Sequence, residues 1–302
     1  MKPAIGVIGL GIMGGAMAEA LLASGFEVSG YDVLAAPRAR LKKAGGRPLS
    51  SSTAVARSAG ILITSLATVA ALDDAAARIA AAGRPTAKAR LIVIETSTLP
   101  IADKERAMQR LRRAGITLLD CPISGTAVRL KQGAWTIFAS GSAAAYKSVQ
   151  AILNVFTRNA PYVGAFGNGT RMKFIANHMV AIQNVAVAES LTFARKMGLD
   201  PQQVWELFAT SPVIGTGVFK LRGKFMVDRK YLPATMKVEV WQKDMQVIGD
   251  MAKAVNCPTP LFSACVPLFN SAMAQGLSLH DTASVCEVLG GMAGVDRPRA
   301  KR

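Results

Sequence analysis

Residues Ala4–Ile8 form a short apolar run that passes directly into Gly9-Leu10-Gly11-Ile12-Met13-Gly14, and an alanine-rich stretch follows through Ala23. Three glycines at that spacing between a strand and a helix leave few folds open. Gly9 permits a tight turn, Gly11 lets the backbone approach a pyrophosphate, and Gly14 allows the helix to pack closely on the strand. The phosphates of a dinucleotide would then rest on the amides at the helix N-terminus. The next strand, Glu27 to Tyr31, ends in Asp32, 18 residues after Gly14 and near the spacing at which a carboxylate takes the ribose hydroxyls of NAD. Arg38, Arg40, Lys42 and Lys43 follow closely and could meet the 2′-phosphate of NADP, so the preference for NAD leaves NADP open. The candidate cofactor contacts are Gly9, Leu10, Gly11, Ile12, Met13, Gly14 and Asp32, with Ser65 and Leu66 at the end of a further strand.

Strand-like runs at Ala4–Ile8, Glu27–Tyr31, Ile61–Ser65, Leu91–Glu95 and Thr117–Asp120 alternate with alanine-rich helical stretches, the pattern of a doubly wound parallel sheet. A strand pair, Thr136–Ser140 and Ala160–Val163, is expected to flank a helix at Ala143–Val155. From Gly169 onward the pattern is helical only: a long run to Met197, a helix opened by Asp200-Pro201 as N-cap and first residue, and an amphipathic stretch from Val238 to Val255. The expectation is an α/β fold, an N-terminal Rossmann domain over residues 1–166 and a C-terminal all-α domain over 167–302, with the active site where they meet.

Within the long run, Lys173 and Asn177 lie four residues apart on a predominantly apolar helix and share one face. A lysine held on a buried helix surface loses hydration, which lowers its pKa toward the range useful for proton transfer and makes it a candidate general acid/base. Asn177 could orient that lysine or a substrate.

Composition narrows the field further. A length of 302 residues and 51% hydrophobic content suit one or two domains with ample core. The Met1-Lys2 start and apolar run are not read as a secretory signal, because the run holds the glycines in dinucleotide register. Ala254 to His280 carries no formal charge, but Pro258, Pro260, Pro267, Asn270 and Gln275 argue for buried helices broken by turns rather than a membrane span. The cysteines at 121, 257, 265 and 286 lack paired metal spacing and are expected as reduced core residues of a cytoplasmic protein. His178 and His280 belong to no metal cluster, no metal is expected, and His280-Asp281 reads as a helix start.

The net charge of +17, from 36 Lys and Arg against 19 acids, is the feature that pulls toward nucleic acid. Most cations are scattered. The run Lys220, Arg222, Lys224, Arg229 and Lys230 has Phe219, Phe225 and Tyr231 interleaved, and these aromatics are expected to face a core rather than stack on bases. The excess is therefore read as solvated surface and attraction for an anionic substrate and cofactor, without a nucleic-acid or membrane partner.

Four blocks together resemble the β-hydroxyacid dehydrogenase family, which includes 3-hydroxyisobutyrate dehydrogenase and tartronate semialdehyde reductase and is related to 6-phosphogluconate dehydrogenase. They are Gly9 to Gly14, Asp120-Cys121-Pro122-Ile123-Ser124-Gly125-Thr126, Gly167-Asn168-Gly169 through Lys173 and Asn177, and Lys243-Asp244. The resemblance implies that Lys173 is the catalytic acid/base, that Ser124, Gly125, Thr126 and Asn177 hold the substrate, and that Lys243 lies beside substrate and nicotinamide. It implies that Thr98, in Glu95-Thr96-Ser97-Thr98, contacts the nicotinamide ribose, that the substrate is a small carboxylate-bearing hydroxy acid or semialdehyde, and that the assembly is a homodimer or homotetramer. The sequence departs from the family at Thr126 and Glu95, where glycine and aspartate are usual, and carries Arg129, Lys131 and Pro212 near the expected substrate loops. Two rival readings are an imine or other carbonyl reductase on the same fold, and a basic nucleotide-binding interaction protein whose catalysis has lapsed.

Overall fold

The structure is a computed structural model that describes residues 2–83, 91–125, 130 and 135–295. Two compact units make up the chain, Met1–Lys173 and Phe174–Arg302, and the division falls inside the longest helix.

The first unit is a six-stranded, wholly parallel sheet. Its strands are β1 (Ile5–Ile8), β2 (Val28–Tyr31), β3 (Arg47–Pro48), β4 (Ile61–Thr64), β5 (Ile92–Glu95) and β6 (Thr117–Asp120), in the order β3-β2-β1-β4-β5-β6. The order reverses between β1 and β4, which opens a crevice beyond the C-terminal ends of the strands. Ile8, Tyr31, Thr64, Glu95 and Asp120 share one row across that edge. Strands covered on both faces read as continuous apolar runs, and β1 and β5 are buried at every position.

Helices α1 (Ile12–Ala23), α2 (Ala35–Lys43), α3 (Ser52–Ser58), α4 (Val69–Ala82) and α5 (Ile101–Arg113) connect the strands. One face of the sheet buries Ile5, Val7, Met17, Leu21 and Leu119 with Trp135 and Phe156, the last from α6 (Ala143–Phe156). The other buries Ile8, Val55, Leu62, Ile79, Val93 and Leu111 beneath α3, α4 and α5. Each such aliphatic side chain contributes about 1.5–3 kcal/mol relative to exposure.

After β6 the chain forms a small antiparallel pair, β7 (Ile123–Ser124) with β8 (Thr136–Ile137). The strand expected at Ala160–Val163 is absent as such. Only single bridges form there, Thr136 to Asn159 and Ala139 to Tyr162, because Pro161 withholds an amide and Gly164 turns the chain away at φ +93°.

The long helix α7 (Asn168–Lys196) leads into the second unit, which continues through α8 (Pro201–Ala209), a π-turn at Phe219–Gly223, α9 (Lys224–Asp228), α10 (Val238–Ala254), α11 (Pro260–Ala274), a 3-10 turn at Thr282–Ser284 and α12 (Val285–Met292). Asp200 caps α8 by accepting from the Gln202 amide at 3.0 Å, with Pro201 first in the helix. Asp281 caps the 3-10 turn. Its carboxylate also accepts from Thr235 N, Thr235 Oγ1 and Met236 N and faces Arg222 at 3.3 Å. Burial alone would lift this carboxyl, but Arg222 and the converging donors outweigh it and hold the group below the usual range.

Three details differ from expectation. Pro267 lies inside α11 rather than at a break, and Cys257 is exposed while Cys121, Cys265 and Cys286 are buried. In the basic run, Phe219 and Tyr231 are buried as expected, whereas two of the cations are consumed internally, Arg222 by Asp281 and Arg229 by Glu287. Among the described residues, no helix is long and apolar enough to cross a membrane.

Candidate functional site

At the C-terminal end of β1 the glycines take up distinct tasks. Gly9 has φ +86°, and a Cβ there would lie 2.2 Å from the Ser65 carbonyl oxygen. A Cβ on Gly14 would lie 1.9 Å from the Gly9 carbonyl oxygen. Both positions are thus closed by the protein's own backbone. Gly11 is different, since a Cβ there would meet nothing within 4 Å. Among the described residues nothing forbids a side chain at Gly11, so its bareness suits something that the backbone must approach. Gly11 is also the N-cap of α1 and supplies no side-chain bond to the first-turn amides. Bare amides at a helix start and open space beside them fit a pyrophosphate.

This turn is one wall of a groove of about 390 Å³ that Gly9, Gly11, Asp32, Ser65 and Leu66 line together with Tyr31 and Thr68. Asp32 is braced from both sides, one oxygen accepting from Leu10 N at 2.8 Å and the other from Leu34 N at 2.9 Å. Each oxygen keeps a lone pair for a ribose hydroxyl. The Arg38 guanidinium donates to the Asp32 and Val33 carbonyls, and Arg40 reaches the Leu10 carbonyl at 3.5 Å. Leu10 has its side chain in the core and its amide on Asp32, whereas Ile12 is exposed and Met13 packs partly against the core.

Opposite the turn, Ser97 Oγ accepts from Leu66 N at 2.8 Å and so fixes the groove wall through the neighbour of Thr98, itself half-buried. Ser97 N donates to the Glu95 carboxylate. Glu95 in turn meets Lys104, which is completely buried and lies 2.8 Å from both Glu95 and Asp120. Burial by itself would pull the Lys104 ammonium down, but the two flanking carboxylates outweigh it and hold the proton on firmly. Asp120 then accepts from Thr170 N at 2.8 Å and Thr170 Oγ1 at 2.7 Å, in the first turn of α7. Ser140 Oγ accepts from Gly169 N at 3.0 Å. Gly169 is required here, because a Cβ would sit 2.3 Å from the Phe138 carbonyl oxygen and 2.7 Å from that of Asp120.

Three residues beyond Thr170 on α7, Lys173 is buried at 8% exposure. Ser124 pairs with Thr136 across the β7–β8 ribbon, and Gly125, at φ +140°, is pressed against Trp135. Thr126, Arg129 and Lys131 lie outside the described residues.

In the second unit Asn177 is buried and donates through Nδ2 to Asp244 Oδ2 at 2.8 Å, while Lys243 Nζ lies 3.2 Å from Asp244 Oδ1. Asp244 therefore braces two of the sequence-nominated residues, a role that its place beside Lys243 could have suggested. Lys243 also lines an open cavity of about 960 Å³ between α10 and α11. The sequence alone does not single out Lys104 or Thr170. A lysine on an amphipathic helix reads as solvated surface, and nothing local reveals that two strand-end acids await it.

The sheet order, the glycine turn and the braced aspartate define a dinucleotide-binding oxidoreductase fold. Residues 4–164 match the family model described as the NAD binding domain of 6-phosphogluconate dehydrogenase, and residues 167–289 match that of the NAD-binding region of NADP-dependent 3-hydroxyisobutyrate dehydrogenase. The chain belongs to the β-hydroxyacid dehydrogenase family and is an NAD(P)-dependent oxidoreductase. It is 29% identical to L-threonate dehydrogenase of Cupriavidus necator, over 97% of this chain and 98% of the relative. It is 28% identical to 2-hydroxy-3-oxopropionate reductase of Escherichia coli, over 96% and 98%. The crystal structure of 3-hydroxyisobutyrate dehydrogenase from Salmonella typhimurium superposes with a TM-score of 0.84 at 26% identity, covering 95% of this chain and all of that one.

Proposed function

We propose that the protein interconverts a small β-hydroxy acid and its semialdehyde, with Lys173 as the general acid/base. The observation that carries this is the burial of Lys173 on a helix whose first turn is pinned to the sheet edge beside the groove. The groove lined by Gly9, Gly11, Asp32, Ser65 and Leu66 would hold the dinucleotide, which when bound would supply the acceptor or donor of a hydride at the carbinol carbon. As that hydride leaves, a neutral Lys173 amine accepts the hydroxyl proton, and in the reverse direction the ammonium donates it to the carbonyl oxygen. Ser124, Gly125 and Thr126 with Asn177 orient the substrate, and the Lys243 ammonium neutralises its carboxylate. The relatives support an acid, since L-threonate and 2-hydroxy-3-oxopropionate share a carboxylate and differ elsewhere. Asp32 directs the preference toward NAD. Residues 1–166 are assigned to the cofactor and 167–302 to substrate and self-assembly.

The test is Lys173→Ala, which should lower kcat by about two to four orders of magnitude while cofactor affinity holds. A variant keeping more than about a tenth of the wild-type kcat would remove Lys173 from this role. The substrate class is tested separately by Lys243→Met. Loss of a charge-assisted contact of about 1.5–3 kcal/mol should raise KM for the best hydroxy acid and leave a neutral alcohol unaffected. Equal losses on both would detach Lys243 from the carboxylate.

A further inference from the structure

The buried charge cluster at the sheet edge joins two features that the chemistry must keep in register. Starting at the groove wall, Leu66 N donates to Ser97 Oγ, Ser97 N donates to Glu95, Glu95 and Asp120 flank Lys104, and Asp120 receives Thr170 N and Oγ1. Every member from Glu95 to Thr170 is buried. Asp120 thereby does for α7, from another strand, what an N-cap residue ordinarily does from the preceding position. The Gly169 amide is taken by Ser140, and the close approach of Gly169 to the Asp120 and Phe138 carbonyls leaves the helix start no room to slide.

From this geometry we infer that Lys104, Asp120 and Glu95 form a positioning device that sets the start of α7, and through it Lys173, against the cofactor groove. Lys104 and Thr170 are positioning residues, which touch neither substrate nor cofactor. Two carboxylates at adjacent strand ends repel one another, and Lys104 inserted between them holds both in one arrangement. Asp120 is then rigid enough for its two oxygens to select a single rotation and height for the first turn of α7. A general base three residues beyond such an anchor inherits that placement, and a misplacement of about 1 Å at a reacting group can cost about a hundredfold in rate. Burial matters here, since exposed ion pairs are screened by solvent and hold no geometry.

The inference rests on Lys173 being the acid/base, so the experiment separates the two. Thr170→Val removes the Oγ1 bond to Asp120 with little change of shape, and Thr170→Ser restores the hydroxyl. In the whole chain, with the best substrate from a hydroxy-acid panel, Thr170→Val should lower kcat by about tenfold or more while the Kd for NADH, read by its fluorescence, stays within about twofold. Thr170→Ser should recover kcat to within about threefold of wild type. In a Lys173→Ala background, Thr170→Val should cause no further loss of the residual turnover, because its effect passes through the lysine. The inference is overturned if Thr170→Val keeps wild-type kcat while only its thermal midpoint falls, or if it costs the same factor in both backgrounds. If Lys173→Ala alone retains turnover, the failure lies with the lysine assignment and is recognised as such before Thr170 is considered.

Discussion

Two regions of one sheet edge, the glycine turn after β1 and the ion cluster at the ends of β5 and β6, solve opposite problems. The turn clears space: two glycines let backbones touch and a third leaves its neighbourhood empty. The cluster fills space, packing two carboxylates and an ammonium where no water is needed to satisfy them. The turn is written in six consecutive residues, whereas the cluster draws on Glu95, Lys104, Asp120, Ser140 and Thr170 from five separate segments. A region whose geometry is backbone-deep tolerates change only where it is empty, and a region whose geometry is charge-deep tolerates change only in balanced pairs.

That contrast can be broken most forcefully at Lys104. Lys104→Met leaves two buried carboxylates facing each other, and removing one partner of a buried ion pair costs about 3–5 kcal/mol. Chemical denaturation should show the loss in the midpoint at unchanged slope. A loss below about 1 kcal/mol would mean the cluster is solvated and behaves as a surface pair.

Within the turn the prediction is a split between neighbours. Gly14→Ala forces a Cβ into the Gly9 carbonyl and should destabilise the unliganded fold by about 1–3 kcal/mol. Gly11→Ala meets no neighbour, so the unliganded protein should melt within about 1 °C of wild type while the Kd for NAD rises by about tenfold or more. Equal melting losses at the two positions would erase the distinction between glycines that serve the fold and one that serves the ligand.

The smallest effect is expected at Asp32. Asp32→Ser should shift the kcat/KM ratio of NAD to NADP toward NADP by about tenfold, since the carboxylate that repels a 2′-phosphate is gone while Arg38 and Arg40 stay nearby on the Asp32 and Leu10 carbonyls. A wild type that already prefers NADP would show that the arginines, not Asp32, read the ribose.

The same contrast explains what could be read from the chain alone. The strands from β1 to β6 are legible because buried parallel strands are runs of apolar residues, with only the two-residue edge strand Arg47–Pro48 too short to leave a pattern. The groove is legible because its turn is contiguous and Asp32 follows at a fixed distance. Lys104 is illegible for a physical reason: in Ile101-Ala-Asp-Lys-Glu-Arg-Ala it sits among charges of both signs, and only the fold reveals that its face of α5 is the buried one. Asp120 stands out in the sequence as part of a motif but its task does not, because the amide it caps belongs to a residue 50 positions away. The expected strand at Ala160–Val163 failed because alternation of apolar residues does not register that a proline and a glycine remove the bonds a strand needs.

The distribution of the four thiols carries a practical consequence. Burial pushes the Cys121 thiol far up, raises that of Cys286 and lifts Cys265 to about 11, so none of the three offers a thiolate at neutral pH. Cys257 stands exposed in the turn between α10 and α11. A maleimide should therefore count one label per native chain and four per unfolded chain, which makes the sequence its own folding gauge, with the single reactive handle on the helical unit and none on the nucleotide-binding one.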